Sequence, residues 1–250
     1  MTVNRKFAIA LAIAPLTLGL AACNKEATEG AAQTGQPIAK IAAPADKAWS
    51  DMVVKTPEGG YRMGNPDAPI KLIEYGSLTC PHCAEFVEKG STELRDNFVA
   101  SGRVSFEFRN FVRDAIDITA AQLTQCGAPE SFFALTDQTF ANQKTMFEKA
   151  QAAGQPAYEA AMNQPPATRG QALAQLTGLT EFFAARGISR DQANACLAET
   201  AKAEKLAKDT TAQGEQFKIN GTPTFLINGQ TIDTNTWEGV KAELERRGAR

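Results

Sequence analysis

Two cysteines three positions apart, Cys80 and Cys83, enclose a proline and the only histidine of the chain in the stretch LTCPHCAEF (residues 78–86). Paired thiols at this spacing can form a redox-active disulfide, half of a metal site, or a structural disulfide. A structural disulfide stabilises mainly by closing a loop, and a two-residue spacer closes a very short one. A zinc site needs three or four protein ligands, whereas copper(I) accepts fewer soft ligands. Redox chemistry and metal binding therefore both need to be considered.

The redox interpretation accounts for every residue of the motif. If Cys80 begins a helix, its sulfur faces unpaired backbone N–H groups and the positive end of the helix dipole, which favour a thiolate. Pro81 suits the first turn because its missing N–H would have no partner there. His82 can add a positive charge or a donor and lower the pKa of Cys80 further. A stabilised thiolate makes the disulfide the less favourable form, so the pair is expected to oxidise its partner.

The segments around the motif predict a strand before it and a helix after it. Residues 70–77 (IKLIEYGS) form a mostly apolar run of strand length. Residues 83–100 place apolar side chains on one helical face, and residues 104–112 (VSFEFRNFV) alternate as a strand does. Residues 48–63 predict an edge hairpin. The cysteines therefore lie at the turn between a strand and a helix of a β-α-β unit.

The remaining segments predict a helical insertion and a return to the sheet. Residues 114–217 have a helical pattern, with a loop expected at 154–168 where three prolines occur. In residues 218–250, two strand-like runs flank Asn228-Gly229, a strong hairpin signal, and a helix follows. The order of elements predicts an α/β protein with a thioredoxin fold and an inserted all-helical domain. The thioredoxin fold would comprise residues 48–113 and 218–250, and the insertion residues 114–217.

Two motifs together resemble the DsbA family of thiol:disulfide interchange proteins: CPHC running into AEF, and NGTPT at residues 220–224. The resemblance covers about residues 66–247. It implies a thiol:disulfide oxidoreductase whose redox centre is the Cys80–Cys83 disulfide, with no cofactor. It also implies a cis Pro223 that faces this disulfide, and a Thr222 backbone that pairs with an extended substrate segment. Thr222 replaces the valine of the best-known oxidases and is found more widely among relatives, including isomerases and reductases.

The same resemblance implies roles for three further residues. Glu74, in the strand before the motif, corresponds to a buried acid that accepts or relays the proton of the second cysteine. The alternative is a carboxylate that reaches solvent near the strand end. Cys126 and Cys196 lie on predicted helices that several relatives join by a disulfide, and the alternative is two buried free thiols.

The N-terminus predicts export. Arg5 and Lys6 precede an apolar run at residues 7–20, which is too short to span a bilayer as a helix. Residues 1–22 are therefore interpreted as a signal peptide. It is of the lipoprotein type, because LAAC ending at Cys23 resembles the bacterial lipobox, in which the cysteine is lipidated. Plain cleavage near the alanines is the alternative. Setting Cys23 aside leaves four of the five cysteines, which can form two pairs. Residues 23–47 have the composition of a flexible tether.

Composition excludes one class of function. The formal net charge is -2 and no basic run exceeds two residues, so no nucleic-acid surface is expected. The expected protein is a monomeric periplasmic dithiol oxidase, membrane-associated only through its lipid anchor, that introduces disulfide bonds into exported proteins. The resemblance assigns its reoxidation to a quinone-linked membrane partner. The alternatives are an isomerase or reductase on the same fold and a non-catalytic copper- or zinc-binding lipoprotein.

Overall fold

A computed structural model describes residues 35–250. The predicted signal peptide, Cys23 and the first part of the predicted tether lie outside the described residues. The described strands are β1 (Val53–Lys55), β2 (Tyr61–Gly64), β3 (Ile70–Gly76), β4 (Val104–Asn110), β5 (Thr224–Ile227) and β6 (Gln230–Thr231). The described helices are α1 (Pro81–Glu93), α2 (Ala115–Thr124), α3 (Phe132–Ala141), α4 (Gln143–Met162), α5 (Pro166–Leu176), α6 (Leu179–Ala184), α7 (Arg190–Leu197), α8 (Thr200–Phe217) and α9 (Trp237–Arg246).

The strands of residues 35–250 form one mixed sheet in the order β1-β2-β4-β3-β5-β6. β3 and β4 are parallel and joined by α1, while the other neighbours are antiparallel. β3 is therefore central, and its Glu74 lies between Phe108 of β4 and Phe225 of β5. Helices α2 to α8 are inserted between β4 and β5. The predicted thioredoxin fold with an all-helical insertion is confirmed, and so is the edge hairpin of β1 and β2.

Helix α1 is held on the sheet by aromatic side chains. Phe86 packs on Phe225 of β5, with ring centroids 4.5 Å apart, and on Trp237 of α9 at 6.0 Å. Gly90 allows α9 to approach closely, because a Cβ at this position would lie 2.5 Å from the Trp237 ring. After Glu93 the helix widens into a π-helical turn, Leu94–Val99. These contacts fix the start of α1, where the two cysteines lie.

The insertion is attached to the same sheet by phenylalanines of α3. Phe132 stacks on Tyr61 of β2 with a centroid distance of 3.9 Å, and Phe133 packs on Phe106 of β4 at 5.5 Å. Phe140 contacts Phe108 edge-on at 6.1 Å. Since Phe106 and Phe108 lie on one face of β4, α3 covers the face from which Glu74 projects. The insertion is thus part of the wall around the redox motif.

The prediction of a loop at residues 154–168 is wrong for most of these residues, which are helical. α4 continues to Met162 across a kink at Gly154, which has φ 80° and ψ 166°, and α5 starts at Pro166. A positive φ is readily adopted by glycine, so the helix direction changes there. Pro156 and Pro166 then occupy the first turns of helical segments, where a missing N–H has no partner to lose.

Residues 35–47, assigned to the tether from their composition, lie against the folded domain at several points. Gly35 and Ile38 donate backbone hydrogen bonds to the carbonyls of Arg246 (2.6 Å) and Gly248 (2.9 Å). The Trp49 Nε1–H donates to the Ile41 carbonyl at 2.8 Å. Backbone hydrogen bonds do not depend on side-chain type, so composition did not indicate these contacts. Within residues 35–250, every helix is too short or too polar to cross a membrane.

Candidate active site

The two cysteines of the motif are free thiols, and both are buried. Cys80 is the N-cap residue of α1, with extended backbone, and Pro81 is the first helical residue. The pKa of Cys80 falls from 9.0 to about 4. The largest cause is a hydrogen bond from the Cys83 thiol, and burial opposes it. Thr222 and the backbone N–H groups of Cys83 and His82 also hydrogen-bond to the sulfur and lower the pKa further. The low pKa of Cys80 thus comes first from the Cys83 thiol, and the backbone N–H groups at the start of α1 make a smaller contribution.

Cys83 has the opposite electrostatic environment. Its pKa is raised well above 9.0, first by burial and then by the hydrogen bond to Cys80, and the charges of Glu74 and Cys80 add to the effect. In the reduced pair, one sulfur is therefore an anion at neutral pH while the other keeps its proton. Such an asymmetric pair contains one good nucleophile and leaving group, Cys80, and one thiol that must exchange a proton during each redox cycle.

Thr222 faces the sulfur of Cys80 across the site. The Thr222–Pro223 peptide bond is cis, the conformation implied by the resemblance. Cys80 Sγ lies 3.2 Å from the Thr222 carbonyl oxygen, to which the protonated thiol donates. A thiolate cannot donate to this oxygen, so after ionisation Thr222 stabilises the sulfur through its hydroxyl, in addition to the larger effect of the Cys83 thiol. The residue that distinguishes this chain from the valine-containing oxidases is therefore in contact with the reactive atom.

His82 is hydrogen-bonded to Cys80 through its backbone, while its ring is exposed. The hydrogen bond that position 82 gives to Cys80 comes from the backbone N–H. The side chain is 68% exposed, and its Nδ1 lies 3.8 Å from Oε2 of Glu85. Any charge on this ring is largely in solvent, where its effect on the sulfur is screened. The predicted role of the imidazole thus depends on long-range attraction.

Glu74 is the buried acid that the resemblance implies, because its exposure is 0%. The alternative of a carboxylate that reaches solvent is wrong. Both side-chain oxygens lack a hydrogen-bond partner within the described protein. Burial raises the pKa of Glu74 well above 4.5, and the charges of Asp137 and Cys80 raise it further. Glu74 in turn raises the pKa of Cys83, so the two groups interact electrostatically.

Two side chains of the insertion hold the loop before Cys80, and no motif in the sequence indicates either of them. Asp117 of α2 accepts hydrogen bonds from Ser77 Oγ at 2.6 Å and from the Leu78 N–H at 2.9 Å. Gln143 Nε2 of α4 donates to the carbonyls of Leu78 and Cys80, each at 3.0 Å. Both side chains are buried. The insertion therefore positions the reactive sulfur through the backbone of residues 77–80.

Cys126 and Cys196 form a disulfide, with Cα atoms 5.9 Å apart and a sequence separation of 70. The bond joins the segment after α2 to α7, and it lies within the insertion. Among residues 35–250, no group of three or more His, Cys, Asp or Glu side chains is arranged to hold a metal ion.

The chain is similar to several known proteins. A family model described as thioredoxin matches residues 56–246. The chain is similar to the crystal structure of a protein-disulfide isomerase from Novosphingobium aromaticivorans, with 33% identity and a TM-score of 0.72, covering 76% of this chain and 98% of that one. It also resembles alpha-DsbA1 of Wolbachia pipientis, with 22% identity and a TM-score of 0.61, over 75% of this chain and 89% of that one. The second likeness shows the fold alone.

A curated relative from Rickettsia bellii (strain RML369-C), named "Putative protein-disulfide oxidoreductase", is 22% identical over 77% of this chain. The chain spans 66% of the length of this relative and 60% of the corresponding protein of Rickettsia typhi (strain ATCC VR-144 / Wilmington).

Proposed function

Because the chain belongs to the thioredoxin family, among its DsbA-like thiol:disulfide oxidoreductases, we propose that it is a dithiol oxidase that introduces disulfide bonds into exported proteins. The observation that carries the proposal is the low pKa of Cys80, about 4, beside a Cys83 whose pKa is raised. A thiolate stabilised in the reduced state makes the disulfide of this pair easy to reduce, and hence oxidising towards a partner.

Oxidation of a substrate begins with the Cys80–Cys83 disulfide. A substrate thiolate attacks Cys80 Sγ, the Sγ–Sγ bond breaks, and Cys83 leaves as a thiolate that takes up a proton. Glu74 is the proposed donor of this proton, since it is buried, burial raises its pKa well above 4.5, and its charge raises the pKa of Cys83. An extended substrate segment pairs with the Thr222 backbone beside the sulfur, as in strand addition.

The second step releases the product. Another substrate thiolate attacks the substrate sulfur of the mixed disulfide, and Cys80 leaves as a thiolate. Its low pKa makes it a good leaving group that needs no proton. The substrate has then lost two electrons, and the enzyme holds them as the Cys80 thiolate and the Cys83 thiol. A membrane partner linked to quinone is proposed to accept these electrons and restore the Cys80–Cys83 disulfide before the next substrate is oxidised.

We further propose that the protein acts as a monomer in the periplasm, held at a membrane by lipidated Cys23. The charge and length pattern of residues 1–22 supports export, and the LAAC sequence supports lipidation. Export would place the Cys126–Cys196 disulfide in an oxidising compartment, where such bonds persist.

A disulfide isomerase is the second candidate function. The similar protein from Novosphingobium aromaticivorans is described as a protein-disulfide isomerase, and Thr222 occupies the position where the best-known oxidases have valine. An isomerase acts mainly in its reduced form, whereas an oxidase must be maintained as the disulfide. The two functions therefore differ in the redox state of the Cys80–Cys83 pair in cells.

Trapping of substrates tests the function directly. In Cys83→Ser the resolving thiol is absent but a hydroxyl donor remains beside Cys80, so mixed disulfides at Cys80 persist. The expected result in cells is a set of covalently trapped exported proteins, with the wild-type pair mostly oxidised. Cys80→Ser is the matched control and traps nothing at that position. An empty trap from well-expressed Cys83→Ser would contradict catalysis, and a mainly reduced wild-type pair would favour the isomerase.

A further inference from the structure

A small cavity reaches Glu74 from the side of the insertion. It lies between the sheet, α1, the π-helical turn and α3, and its volume is about 20 Å³. Phenylalanine, leucine, valine and methionine side chains form most of its wall. The polar lining residues are Glu74, Ser91, Arg95, Thr136 and Asp137. The wall of this mostly apolar cavity thus includes the buried acid Glu74 and four other polar side chains.

Two of these groups lack a hydrogen-bond partner. Both carboxyl oxygens of Glu74 and the hydroxyl of Thr136 are buried and unpaired within residues 35–250. Their residues are 0% and 2% exposed. Buried polar groups normally have a partner in the protein or an ordered water, because leaving them unpaired is costly. A volume of about 20 Å³ is enough for one water molecule.

Asp137 is the more exposed of the two carboxyl groups that line the cavity. Its side chain is 29% exposed, and Oδ2 lies 3.8 Å from a terminal nitrogen of Arg95, which is itself partly exposed. Burial raises the pKa of Asp137 to about 6, while the Arg95 charge and a hydrogen bond from Ser91 oppose the rise. Such a carboxyl group is partly protonated near neutral pH, and it can exchange protons with solvent.

We propose that a water molecule bound by Glu74 and Thr136 connects Glu74 to Asp137, and that Asp137 passes the proton of the buried site to and from solvent. The inference rests on the proposed function, because it supplies the outlet for the proton that Glu74 exchanges with Cys83. Asp137 acts through Glu74 and is therefore a positioning residue for proton transfer.

Reoxidation of the enzyme shows why an outlet is needed. Cys80 is then joined to the disulfide partner in a mixed disulfide, and Cys83 is a thiol. Glu74, which gave its proton to Cys83 during substrate oxidation, has taken up another proton from solvent through Asp137. The proton of Glu74 first moves through the water to the Asp137 carboxylate and on to solvent. Cys83 Sγ then attacks Cys80 Sγ and gives its proton to the Glu74 carboxylate. The bond to the partner breaks, and the partner leaves as a thiolate with two electrons.

Charged groups on each neighbouring element shape this exchange. Cys80 and Cys83 face Glu74 from the start of α1, Asp137 from α3, and Arg95 approaches Asp137 from the π-helical turn. The Asp137 charge raises the pKa of Glu74, so the two carboxyl groups disfavour being ionised together. One proton shared between them keeps a buried carboxylate from being isolated.

The test isolates the Cys83 step. Reduced protein is mixed with oxidised glutathione, and at high concentration the rate of disulfide closure becomes independent of glutathione. The step is measured at pH values on both sides of the Asp137 pKa of about 6. Asp137→Asn is expected to slow closure by about 10²-fold, the lower end of the contribution of a positioned proton-transfer group, and to remove the pH dependence centred near 6. Asp137→Glu should restore most of the rate.

A nearby carboxylate provides the control. Asp96 also contacts Arg95, at 3.3 Å, but it does not line the cavity, so Asp96→Asn should leave closure unchanged. Thr136→Val, which removes the hydroxyl, should slow disulfide closure. It should also shift the infrared band of the Glu74 carboxyl group, which is identified by its absence in Glu74→Gln. The proposal would be overturned if Asp137→Asn closed its disulfide with the wild-type rate and pH profile. It would also be overturned if Asp96→Asn slowed closure as much as Asp137→Asn does. The earlier attack of Cys80 on glutathione reports on the proposed function alone, since it needs no proton from Cys83.

Discussion

Cys80 and Thr222 are separated by 142 positions in the chain, yet Cys80 Sγ lies 3.2 Å from the Thr222 carbonyl oxygen. The contact links the start of α1 to the segment before β5, on the two sides of the insertion. It brings the reactive sulfur next to the backbone that is proposed to bind substrate. The Thr222 side chain also stabilises the thiolate, so one residue influences both substrate binding and redox poise.

Replacing Thr222 with valine is expected to raise the pKa of Cys80, because the thiolate loses a hydroxyl donor. A hydrogen bond to a charged group contributes about 1.5 kcal/mol or more, so the equilibrium constant for oxidation of glutathione should fall about tenfold. The ultraviolet absorbance of the thiolate and the glutathione equilibrium measure the two effects. Thr224→Val is the matched control, since the Thr224 hydroxyl donates to the Gly221 carbonyl at 2.7 Å instead. Equal effects of both variants would contradict a specific role for Thr222.

Replacing His82 with alanine should raise the pKa of Cys80 only at low ionic strength. The exposed ring can act on the sulfur through its charge, and salt at about 1 M reduces the screening length to about 3 Å. Thiolate absorbance titrations of wild type and variant, at low and high salt, check this. If the difference between them persists at high salt, the ring acts on the sulfur by direct contact.

The reduced protein should gain stability over the oxidised protein as pH rises. The pKa of Cys80 is about 4 in the folded state and 9.0 in a free cysteine. Ionisation of Cys80 therefore stabilises the reduced fold in full above pH 9.0. This stabilisation is lost as the pH falls through the folded-state pKa of about 4. At pH 7 the contribution is about 4 kcal/mol. Urea unfolding of both redox forms between these pH values measures the difference, and the pH dependence that Cys80 contributes should be absent from Cys80→Ser. A pH-independent difference in wild type would contradict the thiolate assignment.

Replacing both Cys126 and Cys196 with alanine should destabilise the protein without stopping catalysis. A disulfide that spans 70 positions contributes about 4 kcal/mol in the chain-entropy model. Removing both cysteines avoids an unpaired thiol. The free energy of unfolding should fall by roughly this amount, while the oxidation rate of a thiol peptide at a temperature where the variant is folded stays the same. A large loss of rate in the folded variant would show that this bond takes part in turnover.

The redox motif and its place in the fold could be predicted because the signals are local. An apolar strand followed by Cys80 and Pro81 determines where α1 begins, and the backbone N–H groups of that first turn follow from helix geometry. The cis bond before Pro223 was inferred from a resemblance, since a Gly-Thr-Pro stretch alone is compatible with an ordinary turn.

The supports of the site could not be predicted, because they depend on contacts between distant segments. Asp117 and Gln143 reach Leu78 across 39 and 65 positions. Acidic and amide side chains are common on helices, and helical periodicity indicates which face is apolar but not which loop a polar residue meets. Asp137 is likewise a polar helix residue whose neighbours could not be predicted from the sequence. Its position beside Glu74 follows from the packing of α3 on the sheet through Phe132 and Phe133.

The equilibrium of the Cys80–Cys83 pair with glutathione tests the central claim most directly. The wild-type protein is incubated in glutathione buffers of graded ratio, and the reduced fraction is read from alkylation of the two free thiols. A thiolate stabilised by the start of α1 predicts an oxidising couple, nearer to about -120 mV than to the value of about -270 mV typical of a reductant such as thioredoxin. A potential at or below that of thioredoxin would contradict the assignment of this pair as a dithiol oxidant.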